Sequence, residues 1–369
     1  MDRLEKEYKV HPFQPGDEEG IVELLELVFH GWPKFDLLCS PLEHWKWKYL
    51  NNPLQKNEII VGVSDHRIIS CLHYPSLRIK IGHRVCLGTQ GLDLAVHSDF
   101  RGVALFSTMW NLGIKMRKES GIQLHYCLTW NPMLSKYLSK VYHKFPHQVM
   151  RLFRIHDVGL QLRKQPMKYG FFYEYGSYLA KLTNKYRSTL RPDRPASYDF
   201  HIGKMTHFDE RMEGFWEEIR EHYSFIIERS QDYLNWRYCD PRGGDYLVKS
   251  AERDANILGY MVLRVDRHQQ DYPVGYIVDL LTLPNRLDVA TALVGDAVHY
   301  FDSYGINMIL CLVIKNHPYE VILKRNGFIM KRERVPLFYR EYAEIEELRK
   351  RETRSPSRIH FAYGDLDVI

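Results

Sequence analysis

Hydrophobic and polar positions along the chain fall into two copies of one series. Residues 17–28 open the first, with Asp17 placed to cap, Glu18 and Glu19 in the first turn, and Ile21, Leu24, Leu25 and Val28 on one helical face. Two β-rich runs around a polar turn follow, EIIVGV–SDHR–IISCLHY, and recur as DYLVKS–ERDAN–ILGYMVLRV; each predicts a hairpin. Next comes a strand, GLDLAVHS around Asp93 and VDLLTLP around Asp279, then a helix with one apolar stripe. Leu105, Met109, Leu112 and Met116 form that stripe in the first copy, and Ala290, Val294, Ala297 and Phe301 in the second. Apolar strands LHYCLTW and MILCLVI lead to Asn131 and Asn316 and a further helical segment. Aromatic landmarks repeat with nearly the same offset: Trp47, Tyr49 and Pro53 return as Trp236, Tyr238 and Pro241.

The repeat predicts a mixed-sheet α/β (α+β) chain with two tandem domains of like topology. Residues 1–160 form the first and 200–345 the second, with a tyrosine-rich connector at 161–199 and a tail at 346–369. The connector's middle is expected to be helical and its end extended; the tail's apolar end is expected to dock. The chain has 369 residues, and its 51 Lys and Arg against 46 Asp and Glu leave +5, too small and dispersed for a nucleic-acid footprint. No signal-like or membrane-length apolar run is present, so no membrane partner and a cytoplasmic location are expected. Six cysteines without any C-x-x-C read as buried free thiols. No metal site is expected, because Pro146 breaks the helix that would align His143 with His147.

The junction DLAVHSDFRGVALF carries the most chemistry. A helix starting just after a strand presents unpaired N–H groups and the positive end of its dipole, which suit a phosphate. Arg101 adds a fixed charge, Gly102 a close backbone approach, and Ser107 a hydroxyl in the first turn.

In this order of elements the string resembles the GNAT superfamily of N-acetyltransferases, most nearly the tandem Eis-like type and more distantly the Fem-like double domains. The resemblance implies a V-shaped opening between the fourth and fifth strands for acyl-coenzyme A. Leu94, Ala95 and Val96 would then offer backbone contacts, and Arg101, Gly102, Val103, Ala104, Leu105, Phe106 and Ser107 would hold the diphosphate, with Asn131 nearby. Ala104 and Phe106 stand where the family usually has glycine, or at the last place glycine or alanine. The second copy, LPNRLDVATAL, has no glycine and puts Asp288 beside the site, so only the first half is expected to bind coenzyme A. Candidate bases are Asp93, which shares its place with Asp279 and so also reads as structural, and His97. Candidate acids are Tyr137 and Tyr142, since the family register lands on Leu138. Trp45, Trp47 and Tyr49 are candidates for stacking on an amino sugar, although repetition of Trp47 as Trp236 favours a core role. The tail carboxylates or chain end, GDLDVI, are a further candidate base.

The implied function is acetyl transfer from acetyl-CoA to a primary amine of a small molecule, with the association of chain copies left open. A noncatalytic binding module is the alternative, and a Fem-like aminoacyl transferase another.

Overall fold

A computed structural model describes residues 7–101, 104–164, 198–268, 271–349 and 355–366. The expected helical middle of the connector lies outside the described residues. The first half runs β1 (Lys9–Pro12), α1 (Glu18–Phe29), α2 (Pro41–Tyr49), β2 (Asn57–Ser64), β3 (Arg67–Ile81), β4 (Arg84–Gln90) and β5 (Leu92–Val96). It continues with α3 (Leu105–Glu119), β6 (Leu124–Leu128), α4 (Pro132–Val141), β7 (His143–Lys144), β8 (Val149–Ile155) and α5 (Val158–Lys164). The second half runs β9 (His201–Met205), α6 (Arg211–His222), β10 (Phe225–Ile227), α7 (Gln231–Tyr238), β11 (Leu247–Arg253), β12 (Asn256–Asp266) and β13 (Val274–Thr282). α8 (Leu287–Ser303), β14 (Met308–Ile314), α9 (Pro318–Arg325), β15 (Ile329–Val335) and β16 (Leu337–Glu341) complete it.

Both hairpins form, and each repeat unit builds a twisted sheet with helices on both faces. In the first half, α1 and α2 cover one face through Ile21, Leu25, Trp45 and Tyr49 against Ile59, Val61, Cys71 and Ala95. α3 covers the other face, where Leu105 and Met109 meet Ile60, Ile69 and Leu72. Asp17 stands at the start of α1, but its carboxylate accepts from Gln14 upstream and makes no cap bond to the helix. α2 starts at a capping box in which Ser40 and Glu43 each accept the other's backbone N–H, with Pro41 at the first helical position.

The sheets do not respect the boundary between the repeats. The first has the order β1-β2-β3-β4-β6-β16-β7, with β5 and β10 also on β3; the second has the order β15-β8-β14-β13-β12-β11-β9. β8, from within residues 1–160, sits between β14 and β15, while β16, from within 200–345, sits beside β6. β10 also crosses over, pairing with Ile79–Ile81 at the end of β3. Between the repeats, the rings of Trp47 and Trp236 stack with centroids 4.9 Å apart. Each indole N–H donates to the other residue's carbonyl, at 3.1 and 3.2 Å.

The tail docks as its apolar pattern implied. Ile359 bridges to Phe225, and Ile359, His360, Phe361 and Ala362 are buried against the second sheet. All six cysteines are free, four of them buried. Among the described residues no helix is long and apolar enough to cross a membrane, and no group of His, Cys, Asp or Glu could hold a metal ion.

Strand exchange carries a direct consequence. Residues 1–160 expressed alone should lack a cooperative thermal transition, because β8 has no ladder and β6 has an uncovered edge. Co-expression with 198–369 should restore one sharp transition by circular dichroism. An independently folded 1–160 fragment would contradict the exchange.

Candidate active site

β4 runs parallel to β6 only from Gly88 to Gln90, opposite Leu124 to Tyr126. A bond from Gly91 N–H to the Tyr126 carbonyl, 3.3 Å, closes that stretch. Beyond it β5 stays with β3, pairing Leu92, Ala95 and Val96 with His73, Cys71 and Ser70, while β6 follows β16. A gap therefore opens between β5 and residues 126–130. Asp93, with φ of 41°, is the bulge that bends the strand away.

The pairing decides which backbone groups face this gap. Cys71 lies opposite Ala95, and His97 N–H donates to the Ile69 carbonyl at 2.8 Å. The amides of residues 95 and 97 thus point at β3, and those of Leu94 and Val96 point into the gap. Ala95 offers no amide there, and its side chain is 1% exposed among α1 and α2. Of the three expected contacts, the alternation leaves two.

α3 begins at the mouth of the gap. Its N-cap, Ala104, makes no side-chain cap bond, so the amides of the first turn keep their capacity for a ligand. Ser107 and Thr108 both donate their hydroxyls to the Ala104 carbonyl, at 2.7 and 3.1 Å. The exposed Arg101 side chain donates from Nε to the Val96 carbonyl at 3.3 Å. Leu105 is wholly buried, so its side chain is core and only its backbone can contribute. Phe106 packs on Trp110 and Tyr137. Gly102 and Val103 lie outside the described residues. Asn131 caps α4, its Oδ1 accepting from the amides of Met133 and Leu134, which commits that side chain to the helix.

The acid and base candidates separate. Asp93 is an ion-pair centre: its carboxylate accepts from Lys48 at 2.6 Å, Tyr49 at 2.5 Å and the Trp32 indole at 3.0 Å. Burial pushes its carboxyl up, but the Lys48 ammonium and the hydrogen bonds from Lys48 and Tyr49 outweigh this and hold it at about 2. All its near partners are donors, so it is placed to fix α2 on the sheet and not to accept a substrate proton. Asp279 repeats the arrangement, accepting from Tyr238, Tyr260, Arg229 and His360. His97 lies six residues beyond Gly91, roughly 20 Å along the strand from the closed end. Its Nδ1 accepts from the Asp99 amide, capping the turn that leads to Arg101.

Tyr137 is half-buried, edge-on to Phe106 and Trp110. Tyr142 is 7% exposed beside His125 and Trp110, and its hydroxyl has no hydrogen-bond partner. Burial pushes its phenol far above the usual value. His125 touches the closed end of the gap, since a Cβ on Gly91 would fall 3.1 Å from its ring.

The aromatic candidates belong to the core. Trp45 and Tyr49 are fully buried; the Trp45 indole donates to His73, and Tyr49 to Asp93. Neither can stack on a dissolved sugar. Trp47 is 2% exposed, held by Trp236, and only its edge lines a cavity of about 50 Å³. Lys48, Gln90, Leu92, Tyr126, Arg237 and Asp365 line the same cavity. The tail therefore reaches the first half, where the Asp365 carbonyl accepts from Tyr126 at 2.9 Å, while the Leu366 carbonyl accepts from Arg237 of the second half at 3.1 Å. The Asp365 carboxylate itself is held by Arg229 at 2.6 Å. Residues 367–369 lie outside the described residues.

The corresponding gap of the second half opens after Ile277 and Cys311 and is filled. Ile359, His360, Phe361 and Ala362 occupy it, leaving about 20 Å³. At its mouth Arg286 pairs with Asp288 at 2.8 Å.

Charge burial makes two measurable demands. Replacing Lys48 with Met should cost about 3–5 kcal/mol in denaturant unfolding, because Asp93 stays buried without its cation; a loss below about 1 kcal/mol would contradict the ion-pair assignment. Burial lowers His44 to about 3, His73 to about 4 and His317 to about 3, and pushes His125 down as well. These rings take up protons only on unfolding, so their contribution is whole above the unfolded value of about 6.5 and is lost as pH falls below it. Unfolding at pH 5 should take up about four protons more than at pH 8, seen as a steadily falling Tm below pH 6.5. A flat Tm between pH 7 and 5 would contradict their burial as neutral rings.

Sequence-family comparison matches an acetyltransferase (GNAT) domain over residues 9–145 and the acetyltransferase (GNAT) family over residues 211–328. No curated protein matches the chain in sequence. Among solved structures, a conserved protein from Enterococcus faecalis V583 described as a probable N-acyltransferase superposes with a TM-score of 0.58 at 10% identity, over 91% of this chain and 73% of that one. N-myristoyltransferase of Saccharomyces cerevisiae with bound myristoyl-CoA gives 0.59 at 11% identity, over 92% and 82%. A tandem GNAT protein from the clavulanic acid biosynthesis pathway gives 0.57 at 13% identity, over 92% and 100%. One GNAT match in each repeat, on a fold shared with tandem GNAT and N-acyltransferase structures, makes this chain a tandem member of the GNAT acyltransferase family.

Proposed function

We propose that the chain transfers an acetyl group from acetyl-CoA to the primary amine of a small molecule, at one working site in the first half. The observation that carries this reading is the inequality of the two gaps. The first presents the amides of Leu94 and Val96, the uncapped start of α3 and Arg101. The second holds the chain's own residues 359–362 and carries an Arg286–Asp288 pair where a diphosphate would need free cations.

Acetyl-CoA would supply an acyl thioester, an activated carbon that an unprotonated amine can attack. The Leu94 and Val96 amides would steady the donor along β5, while Arg101 and the amides of the first turn of α3 would hold its diphosphate. As the nitrogen bonds to the acyl carbon and the C–S bond breaks, Tyr142, protonated throughout the neutral range, would give a proton to the departing sulfur and take one back from the attacking nitrogen. The cavity of about 50 Å³ beside Gln90, Leu92 and Tyr126 suits a slim amine-bearing group. With Trp45 and Tyr49 in the core, nothing at the site favours an amino sugar over other small amines.

Calorimetric titration with acetyl-CoA should show one equivalent per chain. Arg101→Glu should weaken it at least tenfold, about 1.4 kcal/mol, whereas Arg286→Glu should leave it unchanged. Tyr142→Phe should lower kcat by about 10²-fold without changing acetyl-CoA affinity. Two equivalents, or none, would sink the single-site reading.

A further inference from the structure

The ring of His125 sits where the first gap closes. His125 lies directly opposite Thr89 across β4 and β6, and its Nδ1 is 3.0 Å from the Thr89 hydroxyl. The far edge of the ring reaches along the sheet to Gly91, where a Cβ would fall 3.1 Å from Cε1 and 3.3 Å from Nε2. Gly91 is the residue whose N–H, bonded to the Tyr126 carbonyl, ends the parallel stretch. From Thr89 to Gly91 the ring therefore leans in the direction in which the strands part. It is 1% exposed, with the rings of Tyr74 and Tyr142 packed on it nearly at right angles. No described residue gives Nε2 a hydrogen-bond partner. A polar nitrogen left in this way is costly unless a ligand or water takes it up.

The gap provides for such a ligand. With its diphosphate at the mouth, by Arg101 and the start of α3, an acyl-CoA laid along β5 brings its thioester to the closed end. There the Gly91 amide is already spent on Tyr126. Side chains alternate between the two faces of these strands: Gln90 and Tyr126 line the small cavity on one face, and Thr89 and His125 stand on the other, with Tyr74. An amine in the cavity and a hydrogen-bond donor on His125 would thus meet the thioester from different sides. Burial and the positive charge of Arg117 hold His125 well below its ordinary value, against the Thr89 bond, so the ring is neutral and carries one proton. When the Thr89 hydroxyl donates to Nδ1, that proton is on Nε2.

We propose that His125, held in this tautomer by Thr89, donates its Nε2–H to the carbonyl oxygen of the acyl thioester. The inference rests on the acetyl-transfer reading of the first half and adds to it a side chain that touches the reacting group, with Thr89 as its positioning residue. As the amine nitrogen bonds to the carbonyl carbon, the C=O π pair moves onto oxygen, and the Nε2–H bond stabilises that charge without giving up its proton. The pair returns as the C–S bond breaks, and the proton exchange with nitrogen and sulfur stays with Tyr142.

The test is infrared difference spectroscopy of the full chain with acetyl-CoA isotopically labelled at the thioester carbonyl carbon, with calorimetry on the same samples. Bound to the wild-type chain, the carbonyl stretch should lie below that of free acetyl-CoA, because a hydrogen bond to oxygen weakens the C=O bond. His125→Leu should return the stretch toward the free value while one equivalent still binds. Thr89→Val should lose part of the shift and Thr89→Ser, which keeps the hydroxyl, should retain it. If His125→Leu does not fold, the two Thr89 variants decide. A wild-type stretch equal to that of the free thioester would overturn the proposal and leave the transfer reading intact, as would a shift unmoved by His125→Leu or, where that variant does not fold, by Thr89→Val. Absence of acetyl-CoA binding to the wild-type chain would overturn the transfer reading and this inference with it.

Discussion

Each sheet of this molecule is completed by a strand from the other half. β8 fills the second sheet and β16 the first, so their backbone groups find partners only when both halves are present. This reciprocal pairing fixes the distance and orientation of the repeats, and two further contacts depend on it. The Trp47–Trp236 pair stacks, and each indole donates to the other residue's carbonyl, across the junction of the two halves. β10 reaches the end of β3 from the second half in the same way. The apolar side chains joining Ile79, Phe225, Val262 and Leu337 form one continuous core instead of two abutting ones.

Inside that frame the two halves diverge through local differences in chemistry. Both have a splayed strand pair, a buried aspartate and a tyrosine from the aromatic helix donating to it. The splay leaves backbone amides in search of partners. In the second half the tail fills the space and His360 joins the aspartate's donors. Against the first half the tail lies at Tyr126, whose hydroxyl donates to the Asp365 carbonyl, and along the small cavity beside Gln90 and Leu92. One short segment thus closes one gap and shapes the wall of the other.

Much of this was legible along the chain. The hairpins, the Asp93 and Asp279 strands, and the helices after them follow from period and offset, because those signals are local. Tyr49 and Tyr238 repeat along with the two aspartates, and the structure joins each pair by a hydrogen bond that the sequence reading, taking Tyr49 for a stacking ring, did not foresee. The Ser40–Glu43 box signals the start of α2, a helix that the density of aromatics obscured. Strand exchange was not legible: an apolar run such as Val149–Ile155 states that it wants a ladder and not which strand will supply it. For the same reason the fate of Trp45, and the commitment of the Asp93 carboxylate to Lys48, emerge only once α2 is laid on β3 and β5.

The central claim is that the first gap receives the donor and the second does not. Hydrogen–deuterium exchange with and without acetyl-CoA addresses it directly, because the amides in question belong to the backbone. The account predicts slowed exchange in peptides covering residues 91–97 and 104–108, with no change across 278–290. Protection in the second-half peptides, or none in the first, would contradict it.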